Sequence, residues 1–137
     1  SVIQTCTYWN SKERCRFCGI ELSHRNGHTM KVKTPDQLSE VARKAKELDS
    51  VQHIVLTTGT LQPPGKEISR LIPCAAAIRK STGLPIHVQF CPPSTMEGFD
   101  ELKEAGVDTV GIHIESFDFE ILSRIAPAKT AMGLERY

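Results

Sequence analysis

The chain has 137 residues, 39% of them hydrophobic and 24% charged, the balance of one soluble globular domain. Seventeen basic and sixteen acidic residues leave a formal charge of +1 and are interspersed, so no field of one sign favours nucleic acid or an anionic membrane. No apolar run approaches the roughly 20 residues of a membrane span, and the first residues lack the charged and apolar regions of a signal peptide.

Short β-branched runs alternate with longer amphipathic segments. Ser1–Thr5 (SVIQT) reads as the end of a strand. The stretch Cys6–Lys33 carries Gly19, Asn26 and Gly27 and reads as an ordered loop, long enough to imply a function. Thr34 suits a helix N-cap, with Pro35 and Asp36 in the first turn. Leu38, Val41, Ala42, Ala45 and Leu48 then recur at helical spacing as one apolar face. His53–Thr58 (HIVLTT) suits a buried parallel strand ended by Gly59. After a turn at Pro63-Pro64-Gly65, Lys66–Ser81 reads as a helix that Pro73 kinks or splits. Ile86–Phe90 is a third strand. Ser94–Ala105 is a third helix with Gly106 at its C-terminal cap. Thr109–Ile114 is a fourth strand, and Asp118–Ile125 begins a fourth helix.

This βαβαβαβα order implies an α/β fold with a parallel sheet covered by helices, either doubly wound or part of a (β/α) TIM-type barrel. Both architectures put chemistry at the C-terminal ends of strands. The unusual residues fall there: a cysteine group after the first strand, Thr58-Gly59-Thr60 after the second, Gln89 and Cys91 at the third, His113 and Glu115 at the fourth.

The five cysteines are unevenly spread. Cys6, Cys15 and Cys18 fall within thirteen residues, while Cys74 and Cys91 stand alone. That pattern suits a metal or cluster site in a reducing compartment better than a disulfide framework, and the expected location is the cytoplasm. Eight residues separate Cys6 from Cys15 and two separate Cys15 from Cys18, with Phe17 directly before the last. Thiolates are soft ligands for iron–sulfur clusters and zinc. Three of them on a [4Fe–4S] cluster leave one iron open. A zinc site completed by His24 or His28 is the competing reading, and would make the chain a zinc-stabilised binding or scaffold domain without catalysis. Cys74 reads as a small core residue; Cys91 ends a strand on the active face and could line the pocket, with packing the favoured reading.

The Cys-Arg-Phe-Cys-Gly stretch, following a first strand of βα units, resembles the radical S-adenosylmethionine (SAM) superfamily, although the gap between Cys6 and Cys15 is longer than the commonest family spacing. Thr-Pro-Asp-Gln-Leu after the cysteine loop, and Leu-Thr-Thr-Gly-Thr, are similar to biotin-synthase-like members. The resemblance implies a cluster on Cys6, Cys15 and Cys18 whose open iron chelates SAM, with Phe17 beside the cofactor. It further implies reductive cleavage of SAM to a 5′-deoxyadenosyl radical, hydrogen abstraction from a small-molecule substrate, and an external flavodoxin- or ferredoxin-like electron donor. No nucleic-acid or membrane partner is expected. Residues 1–137 would form the N-terminal half of a (β/α) barrel, about four units, with further segments after Tyr137.

The other strand ends carry matching chemistry. Gly59 lets a ligand approach the backbone, and Thr58 and Thr60 offer hydroxyls and carbonyls to an ammonium group; the resemblance places this segment at the SAM amino group, against the alternative of a simple turn. Alternation puts His113 and Glu115 on one side of their strand. The resemblance gives them the ribose hydroxyls of SAM, Glu115 foremost, since a carboxylate can accept from both. Gln89 and His87 alternate likewise, with Gln89 nearer the active end. His53, at the opposite end, reads as structural.

Overall fold

The computed structural model describes residues Ser1–Tyr137. Three parallel strands, β1 (Ile54–Thr57), β2 (Ile86–Gln89) and β3 (Thr109–Gly111), form one sheet in sequential order. Leu56, Val88 and Val110 share one register row, and Thr57, Gln89 and Gly111 the next. Adjacent rows face opposite sides of the sheet. One face therefore presents Leu56, Ile86 and Val88, all buried, to the helices. The other presents the Thr57–Gln89–Gly111 row and, beneath it, Val55, His87 and Thr109.

The helices in chain order are α1 (Leu22–Arg25), α2 (Pro35–Asp49), α3 (Ile68–Thr82), α4 (Phe99–Glu104), α5 (Phe119–Ile125) and α6 (Pro127–Met132), followed by a 3₁₀ turn at Leu134–Arg136. α3 supplies the middle of the core through Leu71, Cys74, Ala75 and Ile78, all buried. α2 packs beside it through Ala42, and α4 through Leu102. Cys74 is thus a core residue, as expected. None of these helices is long and apolar enough to cross a membrane.

Several elements differ from the sequence expectation. Ser1–Thr5 does run alongside β1 in the same direction: Val2 N–H donates to the Thr57 carbonyl at 2.8 Å and Gly59 N–H to the Ile3 carbonyl at 3.0 Å. The spacing of these bonds is not that of a regular ladder, so the first of the four expected strands is an irregular edge. Its other side makes an antiparallel bridge, Ile3 to Val32. The strand expected over Thr109–Ile114 stops at Gly111, and the helix expected from Ser94 starts at Phe99. α3 runs unbroken through Pro73, whose exposed ring forgoes one hydrogen bond near the helix start. On α2 only Ala42 is fully buried, while Val41 and Leu48 face solvent. The face it uses is narrower than its hydrophobic pattern.

The α2 cap is as expected and more complete. Thr34 Oγ1 accepts from Gln37 N–H at 3.3 Å, and Gln37 Oε1 accepts from Thr34 N–H at 2.9 Å, a reciprocal capping box. Removing the hydroxyl leaves one of those backbone donors without its partner. Thr34→Ala is expected to destabilise the fold by about 1 kcal/mol, read as a lower urea midpoint at unchanged slope.

Candidate functional site

The segment that carries the cysteines is held at both ends and in its middle. Val2 and Ile3 are buried against β1, and Thr7 N–H donates to the Thr60 carbonyl at 2.9 Å. Cys6 N–H donates to Glu21 Oε1 at 3.0 Å; Glu21 is itself buried and paired with Arg25. Trp9 is buried, with the guanidinium of Arg14 stacked 3.5 Å above its ring. Arg14 Nη2 also donates to the Cys18 carbonyl at 3.0 Å. From the far end of the chain, the Ile125 carbonyl accepts Arg16 N–H at 2.8 Å and the Glu13 carbonyl accepts Ala128 N–H at 3.2 Å. The loop expected over Cys6–Lys33 is ordered by these contacts, and it contains the short helix α1.

Cys6, Cys15 and Cys18 are each half-buried and free of disulfides. They line a cleft of about 290 Å³ above the C-terminal end of the sheet. The same cleft is lined by Phe17 and by Thr58, Gly59 and Thr60 after β1. Gln89 at the end of β2, and His113 and Glu115 beyond β3, complete that wall. All ten residues singled out from the sequence are therefore brought together. Beneath the cleft, a smaller cavity of about 40 Å³ with almost wholly apolar walls is lined again by the three cysteines, with Tyr8, Trp9 and Arg14.

His113 and Glu115 reach the cleft by a route that alternation did not foresee. The strand has ended, and Glu115 takes a left-handed backbone at φ 77°, uncommon for a residue other than Gly. Its carboxylate is held there by Lys129 of α6, whose Nζ lies 2.6 Å from Glu115 Oε1 and also donates to the His113 carbonyl. Lys129 is 9% exposed. Glu115 thus enters the cleft already paired with a cation, with lone pairs on both oxygens still available to further donors.

Gln89 bridges two histidines. Its Nε2 lies 3.2 Å from His87 Nε2 and 3.3 Å from His113 Nε2, while His87 Nδ1 lies 2.7 Å from Thr109 Oγ1. An amide nitrogen only donates. With the amide in this orientation, both Nε2 atoms accept from Gln89. Gly111 makes room for it, since a Cβ there would sit 2.7 Å from His87 Nε2.

Three thiols that line one cleft supply the soft donors that an iron–sulfur cluster takes. His24, the partner a zinc site would need, turns Nδ1 toward the Thr29 carbonyl at 3.4 Å. Two cations accompany the thiols, Arg14 and Lys129, and Arg14 Nε is buried without a hydrogen-bond partner in the protein. An N–H left so beside three thiols suits an anionic sulfur-rich group. Burial, and then the neighbouring thiolates, push the Cys15 thiol up to about 11 against the opposing pull of Lys129. Without a metal that thiol is neutral near pH 7, and ligation releases its proton.

Sequence reasoning missed Lys129, which sits on an unforeseen short helix after Pro127 and has no neighbour in the chain that marks it. It also missed Glu67, fully buried at the start of α3, whose Oε2 accepts the N–H groups of Leu61 and Gly65 and shapes the loop after β1. Burial holds its carboxyl above the usual carboxylate range.

Three parallel strands with a thiol-rich cleft at their C-terminal ends define an α/β protein whose candidate site stands at the strand ends. The sequence profile of the radical SAM superfamily matches residues 11–132, and the chain belongs to that superfamily. The matched segment takes in Cys15 and Cys18 and begins after Cys6. No individually curated protein matches the chain.

Two substitutions probe the geometry. A Cβ on Gly59 would overlap the Thr5 carbonyl. Gly59→Ala is therefore expected to push the Cys6 segment off β1, lower stability by about 1–3 kcal/mol and reduce the iron retained after reconstitution. Lys129→Met strands Glu115 in a half-shielded site. A double-mutant cycle with Glu115→Gln should show a coupling of about 1–2 kcal/mol in urea unfolding, discounted for the exposure of the carboxylate.

Proposed function

We propose that residues 1–137 form a radical SAM core of the biotin-synthase-like kind, part of a (β/α) barrel, acting in the cytoplasm on a small-molecule substrate. Cys6, Cys15 and Cys18 would hold a [4Fe–4S] cluster. When bound and reduced, the cluster supplies the electron that cleaves SAM to methionine and a 5′-deoxyadenosyl radical for hydrogen abstraction. The electron comes from an external flavodoxin- or ferredoxin-like donor.

The protein's own part is to bind, orient and exclude water. Phe17 shields the cluster side of the cleft. The Thr58-Gly59-Thr60 backbone and hydroxyls face the ammonium of SAM. Glu115 and His113 take its ribose, and Gln89 orients His113 through their hydrogen bond while lining the substrate side. None of these residues needs to act as a general base.

What carries this reading is convergence. Three cysteines and seven further residues from four separate strand-end segments line one cleft, in a chain that belongs to the radical SAM superfamily. The test is anaerobic iron–sulfur reconstitution followed by electron paramagnetic resonance of the reduced protein. A [4Fe–4S]⁺ signal that changes on adding SAM is expected. Serine at Cys6, Cys15 or Cys18 should each lower bound iron to a small fraction of wild type. Full iron in all three variants, or stoichiometric zinc in place of iron, would overturn the assignment.

A further inference from the structure

Cys91 follows the end of β2, where the sequence left packing and pocket lining both open. Its neighbours in the chain are both buried. Phe90 is 6% exposed and meets Phe99 edge-on with ring centroids 5.9 Å apart. Pro92 is fully buried, and its carbonyl accepts from Arg136 Nη2 at 2.8 Å. Cys91, half-buried between them, lines both the cleft and the small cavity, the same two spaces that Cys6, Cys15 and Cys18 line.

Its sulfur is also held in place. Thr60 Oγ1 donates to Cys91 Sγ at 3.2 Å. Thr60 is buried, and its carbonyl accepts Thr7 N–H, one residue beyond Cys6. One residue thus ties Cys91 to the backbone of the cysteine segment. Cys74, the remaining cysteine, is buried on α3 among Leu71, Ala75 and Ile78. The two lone cysteines of the sequence therefore differ in kind: one fills the core, the other faces the cluster site.

We propose that Cys91 is a fourth thiolate of this site, capping the iron that the other three cysteines leave open while SAM is absent. The proposal rests on the cluster reading given above. Capping is ligand exchange without change of oxidation state. The Cys91 thiol gives its proton to solvent and its sulfur bonds iron. When SAM arrives, its ammonium gives up a proton so that the amino nitrogen, with a carboxylate oxygen, bonds that iron; the Cys91–iron bond breaks, and the Cys91 sulfur takes up that proton. The Thr60 hydroxyl is placed to hydrogen-bond the displaced sulfur. Lys129 and Arg14, which line the small cavity, offset the charge of four thiolates. Two consequences follow. Cys91 competes with SAM, and it protects the open iron from loss on oxidation.

The full chain, reconstituted with iron and sulfide, tests both, using wild type, Cys91→Ala and Cys91→Ser. Without SAM, mild ferricyanide oxidation should leave wild type largely as a four-iron cluster and convert Cys91→Ala mostly to the three-iron form, seen by electron paramagnetic resonance. Cys91→Ala should also bind SAM several-fold more tightly, since its competitor is gone. Equal oxidation and equal SAM affinity in wild type and variants, at equal iron content, would overturn the cap and leave the cluster reading standing. Failure of wild type to assemble any cluster would overturn both. Mössbauer spectra of ⁵⁷Fe-labelled wild type supply a measurement that needs no variant. Four irons of thiolate and sulfide character are expected without SAM, and one altered iron with it; an iron already distinct before SAM is added would refute the cap.

Discussion

Thr5 and Gly59 pass each other backbone against backbone, with no room for a side chain between them. The position of the whole cysteine segment depends on that contact. Val2 and Ile3 can sink into the core beside β1 only because residue 59 lacks a Cβ. The chain then emerges at the C-terminal end of the sheet with Cys6 as its first residue over the cleft. The bonds from Gly59 N–H to the Ile3 carbonyl and from Thr7 N–H to the Thr60 carbonyl lock the two strand ends together. Cys6 is thereby fixed relative to Thr58-Gly59-Thr60 before any metal is present, so the ordering cost of that ligand is met by the fold.

The second half of the site is assembled from the opposite end of the chain. α6 is largely buried, and it delivers Ala128 to the Glu13 carbonyl and Lys129 to Glu115. A buried ammonium is unfavourable unless it is paired and hydrogen-bonded. Lys129 satisfies that condition with two oxygens on the segment after β3, and so pulls Glu115 into a left-handed conformation it would not adopt alone. The same cation stands near the thiols. Together with Arg14, which is flattened on Trp9, it gives an otherwise acid-free cavity wall a positive character suited to an anionic cluster.

The sheet itself divides the two jobs of the protein. Its helix-facing side is closed by Leu56, Ile86 and Val88 against α3. Its other side is polar where a half-buried strand could have been apolar: His87, Gln89 and Thr109 form a hydrogen-bonded chain that continues to His113. Such a chain rigidifies the floor of the cleft and holds His113 at its rim.

Much of this was legible in the residues. The alternation of β-branched runs with amphipathic segments is a local property, written in period and caps, and it announced a parallel α/β sheet with chemistry at the strand ends. The three thiols, Phe17, the Thr-Gly-Thr turn, Gln89, His113 and Glu115 are reactive or permissive residue types placed next to such ends, so they could be picked out one at a time. Strand lengths were less legible, because whether Ser1–Thr5 or Ile112–Ile114 joins a ladder depends on neighbours distant in sequence. The partnerships were not legible at all. Lys129 is one lysine among many until α6 folds back over β3, and Cys91 is open to packing or pocket lining until the fold sets it in one cleft with the other thiols. The sequence by itself determined which elements form and which side chains have the chemistry. Only the tertiary structure decided which of them share a space, since burial and charge pairing act between residues that the chain order keeps apart.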